Sequence, residues 1–223
     1  MAVAGGMEFE SFYYVPELAN RNLLDLVLGH YPDCACFTLS EDVFAKLSYR
    51  ESTGGVIAVI KTKTLNLNQL KLSDSPLILV IEGVEKPGNL GAMLRTADAC
   101  AIDAVIACDL PGDLYNPNII RASLGTVFTV PLAVCSSEEA MSWLKTKQVK
   151  TYCSNLHEAE DYFQVTYTGP SAIVVGTEAT GVTEKWIKFA DKNVKIPMLG
   201  QIDSMNVSVA AAIMLYEARR QRM

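Results

Sequence analysis

The chain has 223 residues, half of them apolar and a fifth charged, which is enough to bury a sizeable core in one large domain or a medium domain with a small companion. A net charge of −6 and a pI near 5.0 argue against bulk binding to nucleic acid. They leave room for a local basic groove from Arg95, Arg121, Lys185 and the cluster Arg219, Arg220 and Arg222. For those last three, cations favouring a helix C-terminus is an equally good account.

The longest apolar stretches, such as Ser75–Val84 and Ser208–Tyr216, are too short to span a bilayer. The start lacks the basic patch and apolar run of a signal peptide, so no membrane partner and a cytoplasmic location are expected. The six cysteines include no C-x-x-C, and His30 and His157 have no partner at zinc-ligand spacing. The thiols therefore read as small buried groups in a reducing compartment, and no metal is expected.

Residues 1–19 are mixed in character. Asn20 is a helix cap for a segment through about Gly29, and Cys34–Leu39 reads as a short buried strand. Ser40, followed by Glu41 and Asp42, opens a second helix to about Leu47. Gly55–Ile60 is a β-branched strand. Residues 1–62 thus form a small α/β piece, and residues 63–75 read as a linker.

From residue 76 to residue 223 the pattern strengthens. Strands are expected at Leu77–Glu82, Ala104–Cys108, Phe128–Val134, Thr151–Ser154, Ala172–Val175 and Val194–Ile196. Helices are expected at Leu90–Cys100, Pro117–Leu124, Ser137–Lys147, Thr183–Ala190 and Met205–Arg222. This alternation means an α/β fold, a parallel sheet with helices on both faces. Ligands of such sheets bind beyond the carboxyl ends of the strands, so the loops there are the place to look for function.

Three of those loops carry polar residues with chemical use. In Glu82–Gly91, Pro87-Gly88 makes a turn and Asn89 is a cap for the following helix. The dinucleotide and nucleoside-triphosphate glycine patterns are both missing. Alone, this is an ordinary strand–turn–helix junction, but Arg95 is a permanently charged fork in a mostly apolar helix and wants an acidic or phosphate partner. In Gly176–Gly181, two glycines let the backbone approach a ligand, and Glu178 is either a functional carboxylate or an acid favouring the next helix. In Ile196–Ala210, Ser204 is the expected N-cap, and Asn206 and Ser208 follow it in the first turn. Val209, Ile213 and Tyr216 mark a packed helix face.

Taken together, the G-N-L-G…R-T-A-D-A segment at Gly88–Ala99, G-x-E-x-x-G at Gly176–Gly181 and I-P-M-x-G…S-x-N-V-S-V-A at Ile196–Ala210 resemble the SpoU (TrmH-like) family of RNA 2′-O-ribose methyltransferases, in the SPOUT superfamily. The resemblance covers roughly residues 75–223. It implies a C-terminal trefoil knot, S-adenosylmethionine as methyl donor with S-adenosylhomocysteine as product, RNA (rRNA before tRNA) as substrate, and a homodimer. By position Gly176, Ile196 and Met205, with Thr177, Gly181 and Leu199 alongside, would hold the donor. Asn89, Arg95, Glu178, Ser204 and Asn206 match the family's polar catalytic positions. Met205 stands where leucine is usual, a change of similar volume. Residues 8–62 resemble the later part of the family's ribosomal-protein-like RNA-binding domain, incomplete because its first helix and strand are not seen.

The chemistry suits this set. Methyl transfer is an in-line displacement that needs a poorly acidic ribose hydroxyl aligned and deprotonated. No histidine lies in the motifs. Arg95 would grip the adjacent phosphate and bias the hydroxyl toward its nucleophilic form, Asn206 and Ser204 would orient the ribose, and Glu178 would organise the site. A non-catalytic RNA-binding or ribosome-assembly module that kept the fold is the alternative, motivated by the acidic pI and the incomplete N-terminal region. A nucleotide-cofactor enzyme rests only on the βα alternation.

Overall fold

A computed structural model describes residues 1–48, 54–156, 158–177 and 180–223. It divides into Ala2–Lys63 and a larger unit formed by Thr64–Met223 together with Met1. In the smaller unit the elements are β1 (Phe9–Tyr14), α1 (Arg21–His30), β2 (Ala35–Thr38), α2 (Glu41–Leu47) and β3 (Val56–Ile60). Its sheet order is β2-β1-β3, with β1 parallel to β2 and antiparallel to β3. Asn20 and Ser40 cap the two helices as expected, accepting from the backbone of Leu23 and Val43. Met7, Phe12, Val15, Leu24 and Phe44 are its buried apolar residues. Two expectations fail here. Strand β1 hides in the mixed opening segment because its apolar and polar residues do not alternate. Strand β2 is not buried but an exposed edge, with every residue open to solvent.

The larger unit runs β4 (Leu77–Glu82), α3 (Pro87–Ala99), β5 (Ala104–Cys108), α4 (Pro117–Ala122), β6 (Leu132–Cys135), α5 (Ser137–Thr146), β7 (Lys150–Ser154), β8 (Glu160–Asp161), β9 (Ser171–Val175), α6 (Glu184–Phe189), β10 (Lys192–Lys195) and α7 (Val207–Arg220). All seven strands are parallel, in the order β6-β5-β4-β9-β7-β10-β8. The apolar runs have a direct consequence, since alternate residues of a strand face opposite sides. Leu77, Leu79 and Ile81 of β4 join the cluster of Met93, Leu94, Met214 and Leu215 from α3 and α7. Ile78 and Val80 join Leu144 and Trp186 from α5 and α6 on the other face. Each such side chain, fully buried, contributes about 1.5–3 kcal/mol relative to leaving it in water.

Several boundaries move for local reasons. Pro87 occupies the first helical position of α3, so the helix starts before Asn89 and Asn89 is an interior residue, not a cap. The expected strand Phe128–Val134 shrinks to Leu132–Cys135, because Thr126–Phe128 is a short 3₁₀ turn and Pro131 has no N–H for a ladder. The cap of α7 is Asn206, which accepts from Ser208 N, and not Ser204. The expected linker packs partly on the sheet: Leu65, Leu67, Leu70 and Leu72 lie against the core, and Leu65 O accepts from Val134 N at 2.9 Å. The close crossing of α3 and α4 depends on Gly91, where a Cβ would stand 2.4 Å from Ala122 Cβ.

Helix α7 buries Val207, Ala211, Met214, Leu215 and Ala218. The stripe expected to be packed is not. Val209 is 49% exposed and Tyr216 is 53% exposed, with Ile213 half-buried between them. The three arginines after it have structural partners. Arg219 donates to the carbonyls of Cys100 and Ala101 at the end of α3, and Arg220 pairs with Glu217. Arg222 donates to the carbonyls of Ser75, Pro76, Tyr167 and Gly169.

Candidate active site

The carboxyl ends of the neighbouring strands β9, β7 and β10 open into a cavity of about 420 Å³. Its wall combines Ser154–Leu156 after β7, Gly176, Thr177 and Thr180–Val182 after β9, and Ile196, Met198 and Asp203–Met205 after β10, closed below by Val207 and Ala210 of α7. This is where a doubly covered parallel sheet offers backbone groups to a ligand.

The segment after β9 is held from two sides. Thr177 N donates to Gly181 O at 2.9 Å and Gly181 N returns to Thr177 O at 3.0 Å, closing the turn on itself. Thr177 Oγ1 lies 2.8 Å from Thr180 Oγ1 and accepts from Thr180 N at 3.1 Å. Gly176 has to be glycine, because a Cβ there would lie 2.1 Å from the Gly181 carbonyl oxygen. From the sheet, Glu82 at the end of β4 accepts from Thr183 N and Thr183 Oγ1, both at 2.7 Å. A carboxylate that is 5% exposed is thereby satisfied at the start of α6.

The first and third loops meet through asparagines. Asn206 Nδ2 donates to Asn89 Oδ1 at 3.0 Å. The other face of that amide caps α7: Asn206 Oδ1 accepts from Ser208 N at 2.9 Å and from Ser208 Oγ at 2.6 Å. Asn206 stands between the wall residues Met205 and Val207. Ser204 lies on the wall, with its hydroxyl 3.3 Å from Asp203 Oδ1.

Of the residues singled out in the sequence, Gly176, Thr177, Gly181, Ile196, Met205 and Ser204 line one cavity, and Asn89 and Asn206 are joined beside it. Leu199 is not on the wall: it is 96% exposed, on a coil segment. Arg95 is also outside it, six residues beyond Asn89 and roughly 9 Å farther along the α3 axis. Arg95 is exposed and makes no hydrogen bond or ion pair among the described residues. Glu178 lies outside the described residues. The sequence reading missed Ser154–Leu156, which lie at the end of a strand whose loop carries no glycine, and it missed the Glu82–Thr183 link.

Among the lining side chains the titratable ones are Asp203 and Lys195. Burial and the Glu82 charge push the Cys153 thiol, next to the cavity, up to about 12, so it stays protonated and inert at neutral pH. Cys36, in contrast to the expectation of buried thiols, is exposed. Among the described residues no cluster of histidine, cysteine and carboxylate side chains could hold a metal ion, and no helix is long and apolar enough to cross a membrane.

Three comparisons bear on this geometry. The chain is 34% identical over 184 residues to the 23S rRNA (guanosine(2553)-2′-O)-methyltransferase RlmP of Bacillus subtilis, covering 82% of this chain and 72% of the relative. It is 40% identical over 156 residues to the tRNA (guanosine(18)-2′-O)-methyltransferase of Thermus thermophilus, covering 69% and 79%. Its fold matches the crystal structure of the SpoU methyltransferase AviRb of Streptomyces viridochromogenes in complex with AdoMet with a TM-score of 0.87 and 28% identity, over 99% of this chain and 86% of that one. The family model described as the SpoU rRNA Methylase family matches residues 76–216, more than half of the sequence, and the chain belongs to that family.

Proposed function

We propose that this chain transfers the methyl group of S-adenosylmethionine to a ribose 2′-hydroxyl of RNA, ribosomal RNA before transfer RNA. The observation that carries this reading is the cavity beyond β9, β7 and β10, walled by backbone around Gly176 and bordered by the Asn89–Asn206 pair. Its volume of about 420 Å³ falls in the range of small-ligand sites, roughly 300–1,000 Å³. Its wall supplies apolar contacts from Ile196, Met198 and Met205 and polar backbone at Gly176, Thr177, Thr180 and Gly181, which suits an adenosyl group with an amino-acid tail. When bound, the donor supplies an electrophilic methyl on a sulfonium, and S-adenosylhomocysteine is left.

The chain's own residues then have distinct tasks. Gly176, Thr177, Gly181, Ile196 and Met205 bind the donor. Asn89, Ser204 and Asn206 orient the ribose through neutral hydrogen bonds. Arg95 grips the phosphate next to the target hydroxyl and biases that hydroxyl toward loss of its proton as the O–C bond forms. Glu178 organises the turn after β9. No metal takes part.

The enzyme acts as a homodimer in the cytoplasm. The support for dimerisation is the half-open stripe Val209, Ile213 and Tyr216 on α7, a largely apolar helix face open to solvent. Residues 1–62 serve as an RNA-binding domain, 63–75 as its linker and 76–223 as the methyltransferase domain, with a trefoil knot at its C-terminal end. The knot is supported by β9 inserting between β4 and β7 and by β10 inserting between β7 and β8.

Incubation with methyl-labelled donor and unmodified bacterial 23S rRNA and tRNA transcripts, followed by mapping of 2′-O-methyl ribose, tests the reading. Label in a ribose is expected. RNA binding without any transfer, although the donor binds, would instead assign a non-catalytic RNA-binding module.

A further inference from the structure

The larger unit contains five arginines: Arg95, Arg121, Arg219, Arg220 and Arg222. Arg219 and Arg222 are engaged by backbone carbonyls and Arg220 by Glu217. Lys185, another candidate for a basic groove, pairs with Glu138. Arg95 and Arg121 have no hydrogen bond or ion pair among the described residues, and both are exposed. Asp98, three residues beyond Arg95 on the same helix, forms no ion pair with it.

These two guanidinium groups arise at one place. Helices α3 and α4 cross where Gly91 meets Ala122. Arg121 is the residue before Ala122. Arg95 lies four residues beyond Gly91, one turn farther along the same side of α3. Two exposed cations thus flank one helix crossing in a chain of net charge −6, with no carboxylate paired to either among the described residues. Arginine presents a planar fork suited to phosphate oxygens, and a pair of like charges is least unfavourable with an anion between or beside them. Two separate forks, one on each helix, match the repeating phosphates of a strand.

We propose that Arg121 binds the RNA backbone at a phosphate adjacent to the one held by Arg95, so that the α3–α4 crossing is the track along which the substrate strand enters. The inference rests on the reading of the chain as an RNA methyltransferase. Arg121 acts on binding and register and takes no part in proton removal.

The test uses the full chain, methyl-labelled donor and the bacterial 23S rRNA and tRNA transcripts. Arg121→Ala is expected to raise KM for RNA about 5- to 20-fold with kcat within about twofold, and to leave donor affinity by calorimetry unchanged. The slope of log K for RNA binding against log salt should fall by about 0.7–0.9, the contribution of one phosphate contact. Arg121→Lys should keep most of that slope, because it keeps the charge, and Arg121→Glu should exceed the alanine effect. Because the side chain is exposed and makes no hydrogen bond or ion pair among the described residues, the variants should fold, which thermal melting checks. A wild type that methylates RNA, with Arg121→Ala matching it in KM and salt slope, overturns this inference alone. Loss of donor affinity in Arg121→Ala also overturns it, because the residue would then support the cavity. A wild type that binds donor but neither binds nor methylates RNA overturns the enzymatic reading and this inference with it.

Discussion

The amide of Asn206 donates to Asn89 Oδ1 at 3.0 Å across 117 residues of sequence while its own oxygen caps α7. One side chain therefore fixes both the start of the last helix and the position of the first loop. The two duties can be separated. Asn206→Asp keeps an acceptor for Ser208 N but loses the donor to Asn89, and it sets a carboxylate against the Asn89 oxygen. Asn206→Ala loses both. The alanine variant should lose about 1 kcal/mol of stability, the usual worth of such a cap, and the aspartate much less. Both should lose methylation rate. Denaturant midpoints compared with kcat on RNA check this; full activity in the aspartate variant would show that the Asn89 link is dispensable.

Gly176 gives a prediction about the donor. A Cβ there meets the Gly181 carbonyl oxygen, which closes the 177–181 turn, at 2.1 Å and the following Val182 N at 2.4 Å. The nearest atoms are backbone and not the far end of a side chain. Gly176→Ala should displace the turn and weaken donor binding at least tenfold, read by calorimetry with S-adenosylhomocysteine. Unchanged affinity would separate this turn from the donor site.

Arg95 gives the opposite pattern. It is exposed and outside the cavity wall, so Arg95→Ala should leave donor affinity within about twofold. If it acts at the phosphate beside the reacting hydroxyl, the methylation rate should fall by roughly 10²-fold or more, the scale seen when a group stabilising developing charge is removed. Parallel calorimetry and single-turnover methylation check this. Donor affinity falling together with rate would reassign the residue to the cofactor.

Much of this arrangement is legible in the sequence because it is local. The β4 run Leu77–Glu82 and the cap at Ser40 are set by periodicity and by a side chain bonding three residues away. What escapes is whatever depends on distant partners. Ser204 and Asn206 are both good caps, and only the packing of Val207 against the core decides that α7 begins after Asn206. Asn89 is a local exception: Pro87, two residues ahead, starts the helix, and Asn and Pro-Gly both read as signals of a turn or helix start. Glu82 and Thr183 are 101 residues apart, and nothing near either names the other. The stripe Val209, Ile213 and Tyr216 has the right period for burial, but periodicity cannot say whether the covering surface belongs to the same chain.

Asp103 links the sheet to acid stability. Its carboxylate accepts from Ser73 N at 2.8 Å and from Leu77 N at 2.9 Å, tying the approach to β4 to the loop before β5. Partial burial pushes its carboxyl up, but hydrogen bonds from Ser73 and the Leu77 backbone, with the nearby Arg222 guanidinium, outweigh that and hold it below the usual carboxylate range. A carboxyl depressed in the folded state stabilises the fold above its unfolded value, and that contribution disappears as pH falls through the folded one. Asp103→Asn should therefore be less stable than the wild type at neutral pH by about 1 kcal/mol, a figure kept low because the group is partly solvated. Its amide would turn a donor toward one of the two N–H groups. The gap should close as pH drops below the usual carboxylate range. Denaturant unfolding of both proteins across that range measures it, and a gap that persists unchanged in acid would show that packing, and not the charge, accounts for the loss.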